Sequence, residues 1–158
     1  MRARRVALAS IVAATAVLVL SACGIRIPAD PDGSLDRIVG GDLRAGAVLE
    51  PGLVDSIDGA PTGELVELIE AFAAEQDAAV TWTTGSEETL VGELETGGLD
   101  LVIGGMTTAT PWVERAGVSR GYPGIEGAGD RELVVLVPLG ENRLLSTLET
   151  FLDEELTP

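Results

Sequence analysis

Residues 97–107 read Gly97-Gly-Leu-Asp-Leu-Val-Ile-Gly-Gly-Met-Thr107. The run Leu99 to Ile103 is nearly all apolar and lies between two glycine pairs, as expected of a strand covered on both faces of a sheet. The residues before it read as a helix. Ser86 is placed to cap its start, and Glu87 and Glu88 stand in the first turn, where the helix dipole favours acids. Leu90, Val91 and Leu94 make the buried face, and Gly97-Gly98 stops the helix. Helix, glycine stop and buried strand together form half of a crossover unit, the building block of a parallel sheet.

The same alternation extends on both sides. Upstream, Leu43–Leu49 is a short apolar strand, followed by a Glu50-Pro-Gly loop and a turn at Asp58-Gly59. Thr62 is placed to cap a helix over 63–76, in which Leu65, Leu68, Ile69 and Phe72 form one stripe. Ala79–Thr84 is a strand with Val80 and Trp82 on one face, which places Trp82 in the core. Downstream, Thr110-Pro-Trp-Val-Glu-Arg115 predicts one or two helical turns with Pro111 at the first position. Glu132–Val137 is a fourth strand. Glu141–Glu155 is a closing helix with Leu144, Leu145, Leu148, Phe151 and Leu152 on one side. The expectation is an α/β fold with a largely parallel sheet and helices on both faces.

The N-terminus is of another kind. Met1-Arg-Ala-Arg-Arg5 is basic, and Val6–Leu20 is apolar or small. That is the form of a secretory signal, about 15 apolar residues long, where a spanning helix needs about 20. Leu20-Ser-Ala-Cys23-Gly24 follows: an aliphatic residue, two small residues and the chain's one cysteine. It resembles the lipobox of bacterial lipoproteins, which implies cleavage before Cys23 and acylation of its thiol. Residues 1–22 are then the signal, 23–42 the lipidated cysteine and a Pro-, Asp- and Gly-rich tether, and 43–158 the folded unit. In Asp30-Pro-Asp-Gly-Ser-Leu-Asp36 no glutamate closes a calcium loop, so it reads as a turn within that tether. The expected location is the outer face of the cytoplasmic membrane, reached through the lipid on Cys23.

Composition narrows the chemistry. All ten basic residues are arginine, and the signal removes Arg2, Arg4 and Arg5, leaving seven against 26 acidic side chains. Such a chain repels nucleic acid and anionic lipid. It has no histidine and no lysine, and acylation would use its one thiol. The common nucleophile–base pairs and most transition-metal sites are therefore absent. Glycine pairs at 40–41 and 104–105 lack the spacing of phosphate-cradling loops. No cofactor, no metal and no enzyme are expected. Carboxylate-based chemistry on cell-wall glycan is the least favoured reading.

Four segments in order carry a family likeness: Leu43-Arg-Ala-Gly-Ala-Val-Leu-Glu-Pro51, Pro61–Ala73, Gly97–Thr107 and Val118-Ser-Arg-Gly-Tyr122. Together with Gly140-Glu-Asn-Arg-Leu-Leu145 they resemble type 2 periplasmic solute-binding proteins, specifically the amino-acid-binding family 3. The likeness covers roughly 43–156. Members of that family have two lobes with the ligand between them. Here only Pro123 to Arg131 separates Tyr122 from the next strand, too little for a lobe. The resemblance therefore implies the first lobe alone, with a small solute as ligand and a transporter permease or receptor as partner. Self-association or docking to a protein is the alternative. Open α/β sheets take ligands at the C-terminal ends of their strands. That selects Glu50 and Leu53 after the first strand, Thr107 and Thr108 after the third, and Trp112 with Arg115. The family grips its ligand's carboxylate with an arginine that, counted back from Val118-Ser119, falls on Trp112. Arg115 lies one helical turn further on. Each of these residues also has a plain structural role open to it: Thr107 or Thr108 as a cap, Trp112 as core, Arg115 as a solvated charge.

Overall fold

The computed structural model describes residues 30–156. The signal over 1–22 and Cys23 lie outside the described residues. A five-stranded sheet has the order β4-β1-β5-β7-β6, with β1 at Asp42–Ala47, β4 at Ala79–Thr84, β5 at Leu101–Ile103, β6 at Ala116–Val118 and β7 at Leu136–Pro138. Strands β4 and β5 flank β1 in parallel, while β7 runs antiparallel to both β5 and β6. Four of the five strands thus share one direction, and the sheet is mostly parallel. A separate hairpin pairs β2 (Asp55–Ile57) with β3 (Ala60–Thr62). Asp58 (φ 51) and Gly59 (φ 86) form its two-residue turn, the left-handed pair that matches strand twist.

Helices cover both faces, as the periodicity predicts. On one side α2 (Glu64–Glu75) and α4 (Asn142–Leu156) bury Ile69, Phe72, Leu144, Leu148 and Leu152. Phe72 and Phe151 meet edge to face at 5.6 Å between ring centres. Trp82 is partly buried against the same cluster. On the other side α3 (Glu87–Glu95) packs Leu90, Val91 and Leu94 over Leu99, Val102 and Leu136. Ser86 caps α3 through Thr89 N–H at 3.3 Å, as expected. Thr62 does not cap α2: it belongs to β3, and Gly63 holds the cap position with no side-chain bond. The hairpin runs directly into the helix, so the threonine is used in pairing.

The tether expected over 23–42 is folded from Asp30 onward. Ser34–Ile38 is a one-turn helix, α1, with Ser34, Leu35 and Ile38 buried. Two carboxylates hold it by reciprocal capping. Glu141, almost fully buried, accepts from the backbone N–H groups of Asp32 (2.9 Å) and Ser34 (2.8 Å). Asp30 accepts from those of Arg143 (2.8 Å) and Leu144 (3.2 Å) at the start of α4. Each end thereby satisfies N–H groups that a helix leaves without internal partners. Composition misled here because acid-rich turns read as solvated linker, whereas these acids face backbone donors more than 100 residues away.

Asp100 completes the arrangement. Its carboxylate has no exposed surface and accepts from Arg37 Nη2 at 2.6 Å and from Arg44 through Nη2 (2.6 Å), Nε (3.0 Å) and the backbone N–H (2.9 Å). Burial pushes the carboxyl up, but the bonds from Arg44 and Arg37 outweigh it and hold it below the usual carboxylate range. A carboxylate lowered on folding stabilises the fold above its unfolded value, about 3.9, and that contribution disappears as pH falls through the lower folded value. Asp100→Asn is expected to cost about 3 kcal/mol in urea unfolding at pH 7, within the range for breaking a buried ion pair. Stability of the parent protein should fall as pH drops below about 4, and the variant should lose part of that acid dependence.

Candidate functional site

Strands β1, β4 and β5 all end at one edge of the sheet, where the loops 48–53, 84–86 and 104–110 emerge. The segment 119–134 lies against the same edge, through the Thr107–Leu133 bridge and the bond from Val134 N–H to Met106 carbonyl. Two contacts form along this edge, Glu50 with Arg131 and Thr108 with Glu132, and sequence reasoning had not selected Arg131 or Glu132. Glu50 pairs with Arg131 at 2.8 Å. Its carboxylate lies over Gly105, where a Cβ would stand 1.8 Å from Oε2. Thr108 Cγ2 and Glu132 both crowd Gly121, each 2.9 Å from where a Cβ would be. Thr107 uses its hydroxyl locally, accepting from Ala109 N–H at 3.4 Å. Thr110 is buried, and its hydroxyl has no partner among the described residues.

Of the other three expected residues, Trp112 stays beside this edge, at the start of α3, while the side chains of Leu53 and Arg115 turn away from it. Leu53 is 2% exposed, with its side chain in the core. Trp112 belongs to a 3₁₀ turn over Pro111–Glu114 that runs beside α3. Its indole N–H donates to Glu87 at 2.9 Å, and its ring packs on the second core cluster. Arg115 leaves that turn toward the opposite edge of the sheet. It binds Glu95, at the far end of α3, with both Nε (2.9 Å) and Nη2 (2.5 Å), and its guanidinium stands 5.3 Å from the Trp112 ring centre. The hydrogen bond from Arg115 holds Glu95 below the usual carboxylate range, with burial opposing. The sequence count placed Arg115 one turn from the family position, but the turn descends beside α3 and carries it away. The edge therefore has no Arg115 to take a carboxylate. What it offers is the Glu50–Arg131 pair and the exposed Glu132. Both partners of the pair are more than a third exposed, so solvent screens it to about 1 kcal/mol or less.

The loop 123–131 is pinned at several points. Ile125 and Ala128 are buried, Glu126 N–H donates to the Glu64 carboxylate, and Arg131 Nε donates to Ala128 carbonyl at 3.0 Å. At Gly127 (φ +82) a Cβ would stand 1.8 Å from the Gly52 carbonyl oxygen, so this crossing admits no side chain. Arg131 is the one basic residue between Arg120 and Arg143, which is a signal in the sequence, but nothing there names Glu50 as its partner.

No protein-family model matches the sequence, and no curated protein does. Solved structures do match. Domain 1 of TmArgBP, as a Phe57Trp mutant in its arginine-bound form, aligns with a TM-score of 0.65 at 21% identity, over 77% of this chain and 97% of that one. A Salmonella typhimurium periplasmic binding protein, described for its high arginine specificity, aligns with a TM-score of 0.61 at 12% identity, over 74% and 94%. An ancestral arginine-binding protein bound to arginine gives 0.61 at 14%, over 73% and 92%. The fold is that of a single lobe of a periplasmic binding protein. These neighbours are binding proteins rather than enzymes.

Gly127→Ala is expected to destabilise the protein by about 2 kcal/mol, since it strains a left-handed position and collides with backbone. Limited proteolysis should then cut first within 123–131. An unchanged midpoint with no new cut would mean the loop is not pinned at this crossing.

Proposed function

We propose that this chain is a solute-binding lobe, held on the outer face of the cytoplasmic membrane by lipid on Cys23, that takes a small amine-bearing solute for a transporter or receptor. The observation that carries this reading is the likeness to an isolated first domain described in its arginine-bound form, whose length this chain nearly spans. One lobe without its fellow has thus held a solute in a protein of this fold. The solute's chemistry is argued from the edge itself. With Arg115 committed to Glu95 and Arg131 paired with Glu50, Glu132 stands as an exposed carboxylate at this edge, packed on Gly121 together with the Thr108 methyl. Seven arginines against 26 acidic side chains after the signal add a long-range field that draws cations. The lipobox Leu20-Ser-Ala-Cys23 supports the anchor. A lone lobe covers less of a small ligand than a closed pair, so the affinity is modest.

A second reading has its own observation. Leu49, next to Glu50, is 46% exposed, and Ile57 at the hairpin end is 64% exposed. Apolar side chains beside an open edge suit a protein partner in place of a solute.

Thermal unfolding of the lipid-free protein beginning at Gly24, screened against small metabolites, separates the two. Amine-bearing solutes should raise the midpoint, by about 2.7 kcal/mol of stabilisation at a hundredfold excess over Kd. Glu132→Gln should weaken binding about tenfold, the scale of one charge-assisted hydrogen bond, and Arg115→Gln should leave affinity unchanged. Shifts caused by carboxylates and abolished by Arg115→Gln would overturn the assignment. A cooperative transition that no compound moves would leave the docking module.

A further inference from the structure

The described chain begins at the end of the lobe opposite the candidate site. Asp30 is fixed to the first turn of α4 through Arg143 and Leu144 N–H, and Gly140, just before that helix, packs against Pro31. The same end holds the starts of β1 at Asp42, β4 at Ala79 and β5 at Leu101, and the last residue of β7, Pro138. The candidate site lies where β1, β4 and β5 finish. Entry point and site are thus at opposite poles.

The length of chain between Cys23 and Asp30 gives this placement its force. Six residues separate them, and the span is roughly 25 Å even at full extension. A folded unit of this size has a radius of gyration of about 14 Å and is about 35 Å across. Bringing the candidate site down to the lipid would require the connection to run half-way round the lobe, roughly 55 Å on those dimensions. It is less than half long enough.

We propose that the edge at which β1, β4 and β5 begin is the surface that faces the lipid bilayer, and that the solute edge is held pointing outward. This rests on the reading of Cys23 as the lipidated residue. The surface has a character that suits the place. Leu139, directly after β7, is 59% exposed, and Val39, in the turn before β1, is 54% exposed. Between these elements an open depression of about 460 Å3 is lined by Arg37, Arg44, Ser34 and Thr96. Asp32 and Glu95 line it as well, so contact with lipid is imposed by the short connection and by apolar side chains, not by charge. A partner that receives the solute must then rise a full lobe's height above the headgroups.

The test uses the full lipidated protein in phosphatidylcholine vesicles containing a headgroup-labelled quencher lipid. A fluorophore is attached at Leu139→Cys, at Val39→Cys or at Thr108→Cys, one site at a time. Quenching should be several-fold greater at the first two than at the third. Cys23→Ser should leave the protein off the vesicles, with no quenching at any position. If the protein is vesicle-bound through Cys23 but Thr108→Cys is quenched as strongly as Leu139→Cys, the orientation is wrong while the anchor stands. If the parent protein does not bind vesicles, or if Cys23→Ser binds as well as the parent does, the anchor reading fails and the orientation fails with it.

Discussion

Asp100 is a carboxylate with no contact with water, and an ion in that position is tolerated only when its oxygens are fully engaged. Two elements supply the donors, and a third holds one of them in place. Arg37 comes from α1, Arg44 from β1 through both its backbone and its side chain, and the glycine turn before β5 closes the ring when Gly97 carbonyl accepts Arg44 Nη1 at 2.6 Å. Removing any of these partners leaves the charge under-compensated, so α1, β1 and the entry to β5 are fixed as a unit. The register of β1 against β5, Ala45 opposite Leu101, begins beside this cluster. The loops at the far ends of those strands are positioned from the same anchor.

The division of labour between the two edges of the sheet follows. One edge is closed by buried carboxylates that answer backbone and guanidinium donors. The other carries loops joined by screened, exposed contacts such as Glu50–Arg131. Rigid core below and adjustable loops above is the usual placement for a binding edge. The loop 123–131 is held down both by packing of Ile125 and Ala128 and by carboxylates, Glu64 on Glu126 N–H and Glu50 on Arg131.

The architecture was legible from periodicity. The helix after Ser86, the buried strand read over Leu99–Ile103 and formed over Leu101–Ile103, and the closing helix with its stripe at Leu144, Leu148, Phe151 and Leu152 lie close to where the patterns put them, because each pairs a local start or stop signal with a regular apolar face. The hairpin at 55–62 was visible only as its turn, since strands of three residues carry no alternation to read. The folding of 30–42 was hidden for a different reason. An aspartate capping a helix 113 residues away has the same local sequence as an aspartate in a linker. For the candidate site, strand ends selected Glu50, Thr107 and Thr108, and all three stand on loops at that edge. They could not foresee that the turn after Thr110 descends beside α3 and takes Arg115 to Glu95, or that Arg131 returns to Glu50. Those outcomes depend on loop paths, which leave no periodic trace.

The reciprocal caps between Asp30 and α4, and between Glu141 and α1, also bear on how the chain acquires its structure. The N–H groups of Asp32 and Ser34 lack their carboxylate acceptor until Glu141 arrives, and the last helix lacks an acceptor at its start until Asp30 is in place. Contacts of such separation are costly in loop-closure entropy and form late. The fold therefore closes like a clasp rather than growing from one end. A chain emerging N-terminus first keeps residues 30–38 uncommitted until nearly all of its length is available.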